Sequence, residues 1–217
     1  MLEIELKYTV PDRDTAEIIW QDPCLTDMEE PGSREKLAFK SVYFDTACGS
    51  LAKNDIAFRV RLEGARVIAT LKYNGKSSGP LHTREEINVP IDDKACLISP
   101  DPAIFHESDI GKEITGLIAD KPLINVMEVG FIRRRVRVDT GNSIIEASID
   151  IGEIKTDSGS LPVCELELEL FSGAQDDLIN LGNKLAERYA LIPEEKSKYA
   201  RGLALAGRVP VFTQSTD

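Results

Sequence analysis

The chain has 217 residues, 42% of them apolar and 29% charged, with a formal net charge of −11. That length suits one large domain, and the acidity argues against a general binder of nucleic acid or of an anionic membrane, so any basic cluster is built against the average. The four cysteines, Cys24, Cys48, Cys96 and Cys164, are far apart with no C-x-x-C spacing, which argues against a zinc site and predicts a reduced, cytoplasmic setting without disulfides. No apolar run reaches the about 18 residues of a membrane span, and none opens the chain as a signal peptide would.

Strands dominate the predicted elements. The first is "LEIELKYTV" (2–10), where Glu3, Glu5 and Lys7 share one face and Ile4 and Leu6 the other. A helix follows at 12–22, opened by Pro11-Asp12 and spacing Ala16, Ile19 and Trp20 on one buried face, with Trp20 as its anchor. "KLAFKSVYFDT" (36–46) and "IAFRVRLE" (56–63) are strands, and Gly64 turns the second into "ARVIATLKY" (65–73) as a hairpin. "LHTREEINVPI" (81–91) alternates again. Residues 92–123 read as a loop with a short helical insert. "INVMEVGFIRRRVRVD" (124–139) is a long strand with a bulge expected near Gly130. "SIIEASIDIGEIKT" (143–156) and "LPVCELELELFS" (161–172) complete about eight strands joined mostly by short turns, which suits an antiparallel sheet or barrel. Helices are predicted over 174–191, with Leu178, Leu181, Leu185 and Tyr189 at helical spacing, and over 194–207. Residues 1–207 form the expected domain and 208–217 a polar tail.

One pattern recurs along these strands: a charged residue at every second position, opposite an apolar face. Any single run reads most simply as the solvated side of a sheet. Together the runs resist that reading, because basic positions fall on some strands (Arg59, Arg61, Lys72, Arg84, Arg133, Arg135, Arg137) and acidic ones on others (Glu3, Glu5, Glu146, Asp150, Glu165, Glu167, Glu169). Arginine's planar fork suits phosphate; clustered carboxylates suit a hard divalent cation such as Mg²⁺ or Mn²⁺. Three alternate strand positions span roughly 13 Å, the scale of an extended triphosphate. If the sheet closes with its apolar face outward, the charged faces line a phosphoanhydride site that needs both polyanion and metal.

"EIELK" (3–7), "YFDT" (43–46), "FRVR" (58–61), "TLK" (70–72), "LHTREEINV" (81–89), "IDIGEI" (149–154), "ELELEL" (165–170) and "SKYARG" (197–202) occur in the order found in the CYTH, or triphosphate tunnel metalloenzyme, superfamily. The chain resembles that superfamily over almost its whole length, most of all its bacterial inorganic triphosphatases; a single CYTH domain is expected, without the helical CHAD domain many of those carry. The resemblance implies an α+β, mainly β fold: a closed eight-stranded antiparallel β-barrel, or tunnel, with helices packed outside. It implies metal ligands at Glu3, Glu5, Asp150, Glu165 and Glu167. It implies a substrate-binding set at Lys7, Arg59, Arg61, Lys72, Arg84, Arg133, Arg135, Lys198 and Arg201, with Arg133 and Arg135 interchangeable by a slip of the "RRRVR" run. Glu5, Lys7, Arg59 and Arg61 are the candidate catalytic groups. Lys7 either contacts phosphate or acts as a base, and its carboxylate neighbours favour the charged, non-basic form. Glu86 either binds metal or pairs with Arg84, and Glu169 is expected near a rim. His82 is expected at the surface or tunnel rim, His106 exposed, and the cysteines in the core.

The expected activity is metal-dependent hydrolysis of inorganic triphosphate to pyrophosphate and phosphate, with Mg²⁺ or Mn²⁺, by a monomer or homodimer with no nucleic-acid or membrane partner. The alternatives are a thiamine triphosphatase or nucleoside triphosphatase, a class IV adenylate cyclase, and a non-catalytic polyphosphate-binding module. The low aromatic content, 6%, weighs against a large base-stacking pocket.

Overall fold

Residues 2–208 are described by the structure, a computed structural model; the expected tail from 209 onward lies outside the described residues. Eight strands form one antiparallel sheet: β1 (Leu2–Thr9), β2 (Glu35–Thr46), β3 (Ala57–Glu63), β4 (Arg66–Ser78), β5 (Leu81–Ile91), β6 (Leu123–Asp139), β7 (Ile144–Thr156) and β8 (Gly159–Ser172). Their order is β5-β4-β3-β2-β6-β7-β8-β1. β1 closes the ring by pairing on both sides, with β8 through Glu5–Thr9 and with β5 through Leu2–Leu6. A two-residue strand, β9 (Ile192–Pro193), continues along β1 opposite Tyr8 and Thr9, where β5 has left it.

The ring closes with its apolar face outward, as the alternation predicts. Leu6 and Tyr8 of β1, Ile145, Ala147 and Ile149 of β7, and Leu166 and Leu168 of β8 pack in one cluster beneath α1 (Arg13–Trp20) and α4 (Gln175–Tyr189). The α4 side chains Leu178 and Leu185 are fully buried there, each stabilising the docking by roughly 1.5–3 kcal/mol. On the other flank, Phe58, Val60 and Leu71 pack beneath the 92–123 insert, through Phe105 and through Ile114 and Ile118 of α3 (Asp109–Ile118).

Several boundaries differ from the sequence reading. The first helix ends at Trp20, and a separate turn, α2 (Pro23–Thr26), begins after Asp22, whose carboxylate accepts from the Cys24 amide. β4 runs past Tyr73 to Ser78, because the Asn74-Gly75 pair that resembles a strand end is a bulge inside the ladder. In β6 the bulge is at Val126: Tyr43 faces Met127, the next residue Phe44 faces Asn125, and Gly130 stays in register. The tight glycine is instead Gly152 across the ladder, where a Cβ would come within 2.0 Å of the Gly130 carbonyl oxygen. All four cysteines are free, but Cys48 is exposed and the others half-buried, so none is a core residue.

The last helix, α5 (Lys198–Leu205), differs from α1, α3 and α4. Ser197, itself extended, caps it by accepting from the Ala200 amide. It leans on the inward faces of β6, β7 and β8 at one mouth of the barrel. A Cβ on Gly202 would meet Met127 Sδ at 2.3 Å and Ile154 Cγ2 at 3.1 Å, so glycine permits that approach.

Candidate active site

Closure turns every second residue of each strand inward. Two connected spaces result. A central chamber of about 120 Å³ is lined by Glu3, Glu5, Lys7, Arg59, Arg61 and further charged groups described below. A larger cavity of about 430 Å³ opens beside it, and Lys72, Arg84 and Tyr199 border both. The larger space is mostly apolar, with Ala52, Ala57, Tyr73 and Leu203 on its wall; charge converges in the smaller one.

Register decides which charges meet. Glu5 stands opposite Glu169, and Lys7 opposite Glu167. Asp150 stands opposite Glu165 and, on its other side, Arg133. On the acidic side, Lys198 of α5 places its ammonium 2.8 Å from Asp150, 2.7 Å from Glu165 and 2.7 Å from Glu167. Arg133 binds both Asp150 oxygens at 2.7 Å and also pairs with Glu167. Arg201 pairs with Glu165, and with Glu194 at 3.4 Å. Lys7 lies 3.0 Å from Glu5 and 3.3 Å from Glu167. Burial alone would push Glu167 up, but Lys198, Lys7 and Arg133 hold it well below the ordinary carboxylate range. Burial likewise opposes the charge on Lys7, yet Glu5 and Glu167 raise it above an ordinary lysine, so Lys7 stays an ammonium.

On the facing wall, burial opposes the charge on Arg59, but Tyr43, Glu86 and Glu3 hold it above an ordinary arginine; Arg61 is the group short of counter-charge. Arg61 donates from Nε to Ser41 Oγ at 3.3 Å and lies over the Phe39 ring at 5.1 Å. Burial, then its neighbours Arg59 and Arg133, push Arg61 down to about 10. Arg84 Nε stands 3.9 Å from Glu3. Tyr43 reports the field: burial raises its phenol, but Arg59 and Arg61 outweigh burial and hold it below the ordinary range.

A third group is crowded acid. Glu169 is pushed up to about 7 by burial, then by Glu3 and Glu5. Glu5 is pushed up by burial and by Glu167, but Lys7 and more distant cations hold it below the ordinary range. Lys72 binds both oxygens of Glu3, at 2.7 and 2.9 Å, and Glu86 at 2.5 Å. Among the described residues, no three carboxylate, imidazole or thiol groups stand ready as a metal cage; lysine ammoniums occupy the gaps between the acids. The Glu3, Glu5 and Glu169 oxygens fit a hard divalent cation in donor type, and at Glu169 the crowding is only partly compensated.

Of the residues picked from sequence, Glu3, Glu5, Lys7, Arg59, Arg61, Lys72, Arg84, Arg133, Glu167 and Lys198 line the one chamber. Asp150 and Glu165 are fully buried beneath Lys198 and Arg133 rather than beside Glu3 and Glu5. Arg201 lies against Glu165, behind the chamber wall. Arg135 sits at the far end among Glu35 (2.6 Å), Glu63 (3.4 Å) and Glu146 (3.8 Å). Glu169, expected near a rim, lines the chamber, as do Tyr43 and Tyr199, whose rings stack at 5.1 Å. Glu169 had a sequence signal: it continues the "ELELEL" alternation, but only the register with Glu5 gives its depth. His82 is 1% exposed, not a surface group; its Nε2 lies 2.8 Å from the Glu194 carbonyl oxygen, tying the segment before α5 to β5. His106 is exposed, as expected.

The profile of the CYTH domain matches residues 1–203. The inorganic triphosphatase of Haemophilus influenzae is 28% identical over 211 residues, which are 95% of this chain and 55% of that protein. The chain therefore spans about half the length of the curated relative it matches. Among solved structures, HpAC1 from Hippeastrum, studied as an adenylyl cyclase and described as having a dominant triphosphatase activity, superposes with a TM-score of 0.67 at 20% identity, covering 97% of this chain and 99% of that one. The PH1819 protein of Pyrococcus horikoshii superposes with a TM-score of 0.56 at 20% identity, covering 95% and 99%. At such identities these superpositions establish the fold. No helix among the described residues is long and apolar enough to cross a membrane.

Proposed function

The chain belongs to the CYTH domain family, and from that premise we propose that it hydrolyses inorganic triphosphate to pyrophosphate and phosphate with a divalent cation, Mg²⁺ or Mn²⁺. The observation that carries this reading is the opposition, inside one chamber, of an under-neutralised arginine, Arg61, and a crowded carboxylate, Glu169 beside Glu3 and Glu5. A polyanion bound with a cation relieves both at once. The name of the Haemophilus relative agrees with this.

In this reading Glu3, Glu5 and Glu169 hold the cation, which when bound neutralises phosphate charge and lowers the pKa of water. This changes the set expected from sequence: Glu169 joins it, and Asp150, Glu165 and Glu167 serve Lys198, Arg133, Lys7 and Arg201 instead. Arg59 and Arg61 bind the phosphoryl oxygens and stabilise charge developing on them, the main demand of phosphoryl transfer. Lys7, held protonated, contacts phosphate and is not the base. Lys72, Arg84, Arg133 and Lys198 complete the cationic lining, whereas Arg135 and Arg201 act on structure. Free thiols agree with a cytoplasmic setting.

Phosphate release from triphosphate, with and without Mg²⁺, tests the reading. Wild type should turn over only with the metal, and Glu5→Ala should fall to background while keeping its fold. Metal-independent release, or an active Glu5→Ala, would sink it. The 430 Å³ cavity with Tyr73, Tyr199 and Leu203 on its wall favours a second reading, an organic triphosphate such as thiamine triphosphate or a nucleotide. Ratios of kcat/KM for triphosphate, thiamine triphosphate and ATP separate the two.

A further inference from the structure

Lys72 stands apart from the other interior cations by where it is and what it occupies. Lys7, Arg133 and Lys198 lie deep among carboxylates. Lys72 stands on β4 at the border between the chamber and the larger cavity, lining both. Its ammonium engages both oxygens of Glu3, at 2.7 and 2.9 Å. Both Glu3 oxygens are thus engaged in an ion pair that bridges two strands with no direct ladder between them, β1 and β4.

The pair can be exchanged. Glu86, the second partner of Lys72, also accepts from the Asn88 amide at 2.5 Å, so it keeps a donor when the lysine leaves. The lysine stem is flexible, and an ammonium is a point charge that re-pairs without a fixed orientation. The side chain is 14% exposed, against 5% for Lys7, so it has room on the cavity side. Arg84, which also borders that cavity, marks the direction from which a polyanion would draw it.

We infer that Lys72 is a latch: its ammonium stands in for the divalent cation on Glu3, and moves to the polyanion when triphosphate enters. Lys72 therefore opposes metal binding to the empty protein and favours triphosphate binding. The two ligands are coupled through it, so that triphosphate exposes Glu3 to metal and metal frees Lys72 for triphosphate, with reciprocal effects on affinity. The inference rests on the triphosphatase reading for the identities of the two ligands.

The test uses binding without turnover. Mn²⁺ is titrated alone, followed by electron paramagnetic resonance, and inorganic triphosphate is titrated in EDTA by calorimetry. Wild type, Lys72→Met, Lys72→Gln and the exposed-site control Lys94→Met are compared. The latch predicts that either Lys72 variant binds Mn²⁺ about tenfold tighter and triphosphate about tenfold weaker, within the usual span of site couplings, while Lys94→Met matches wild type. The opposite signs matter, because a damaged fold weakens both ligands. Wild type that binds neither ligand overturns this inference and the triphosphatase reading together. Wild type that binds both, with Lys72 variants that gain nothing for Mn²⁺ or lose both affinities, overturns the latch alone. Lys72→Gln keeps the test decisive should the methionine variant fail to fold.

Discussion

The two sides of the chamber use the same residue types to opposite ends. Around Lys198, three carboxylates and two further cations, Arg133 and Arg201, satisfy one another within ion-pair distance. Around Arg61, the only hydrogen bond among those described is a long one to a serine, and two of its charged neighbours are also arginines. A buried ion network that is complete serves the fold, since removing a member strands the rest. A wall of like charge left incomplete costs stability and is balanced only by a ligand. What marks a binding site here is therefore the unmatched charge, not charge as such.

The comparison breaks most visibly if the two clusters respond alike to losing a cation. Lys198→Met should destabilise the protein by about 3 kcal/mol, because Asp150, Glu165 and Glu167 keep only part of their neutralisation. For a chain of this size that is a fall in Tm of roughly 6–12 °C in a thermal melt. An unchanged melting temperature would mean that the Lys198 network contributes nothing to the fold.

Arg61→Met should do the reverse. Arg61 is held at about 10, below an ordinary arginine, so the folded state bears a cost for keeping it charged at neutral pH. Methionine removes that cost and packs against Phe39. The variant should melt at or above the wild-type temperature, by up to about 1–2 kcal/mol of stability, yet lose about 10²–10³ in kcat, as when one preorganised charge-stabilising donor is removed. Loss of stability together with activity would place Arg61 in the structural class.

This division was only half legible in the sequence. Period two and the outward apolar face put Glu3, Glu5, Arg59, Arg61 and Glu167 inside, since slipping by one residue would bury charge against α1 and α4. What alternation cannot give is depth along the barrel. Arg133 and Arg135 point the same way, but only Arg133 reaches Asp150, while Arg135 stays with Glu35 at the far end. Asp150 and Glu165 had the chemistry of metal ligands, and the structure pairs them with Lys198, a residue on a helix. The side of the sheet on which α5 packs was equally hidden, because an amphipathic helix has the same pattern inside a barrel mouth as outside it. Gly202 carried the one local signal of that close approach.

The most gradual predicted effect concerns the acid set that the cation would relieve. In metal-free protein Glu169 is pushed up to about 7 by burial and by Glu3 and Glu5. A carboxyl raised above its unfolded value binds a proton more tightly in the folded state. Its contribution to stability is complete below the unfolded pKa and is lost as pH rises through 7. Glu5, held below the ordinary range, changes at lower pH, so between pH 5 and 8 the Glu169 effect should dominate the chamber. Stability in EDTA, measured by urea unfolding, should fall by about 2 kcal/mol over that window. Glu169→Gln should flatten the slope, and saturating Mg²⁺ should do so in wild type, because a bound cation keeps the carboxylate unprotonated in the folded state. A slope that survives in Glu169→Gln would assign it to another group. A slope in wild type that ignores Mg²⁺ would remove Glu169 from the cation-binding set and leave Glu3 and Glu5 to hold the metal without it.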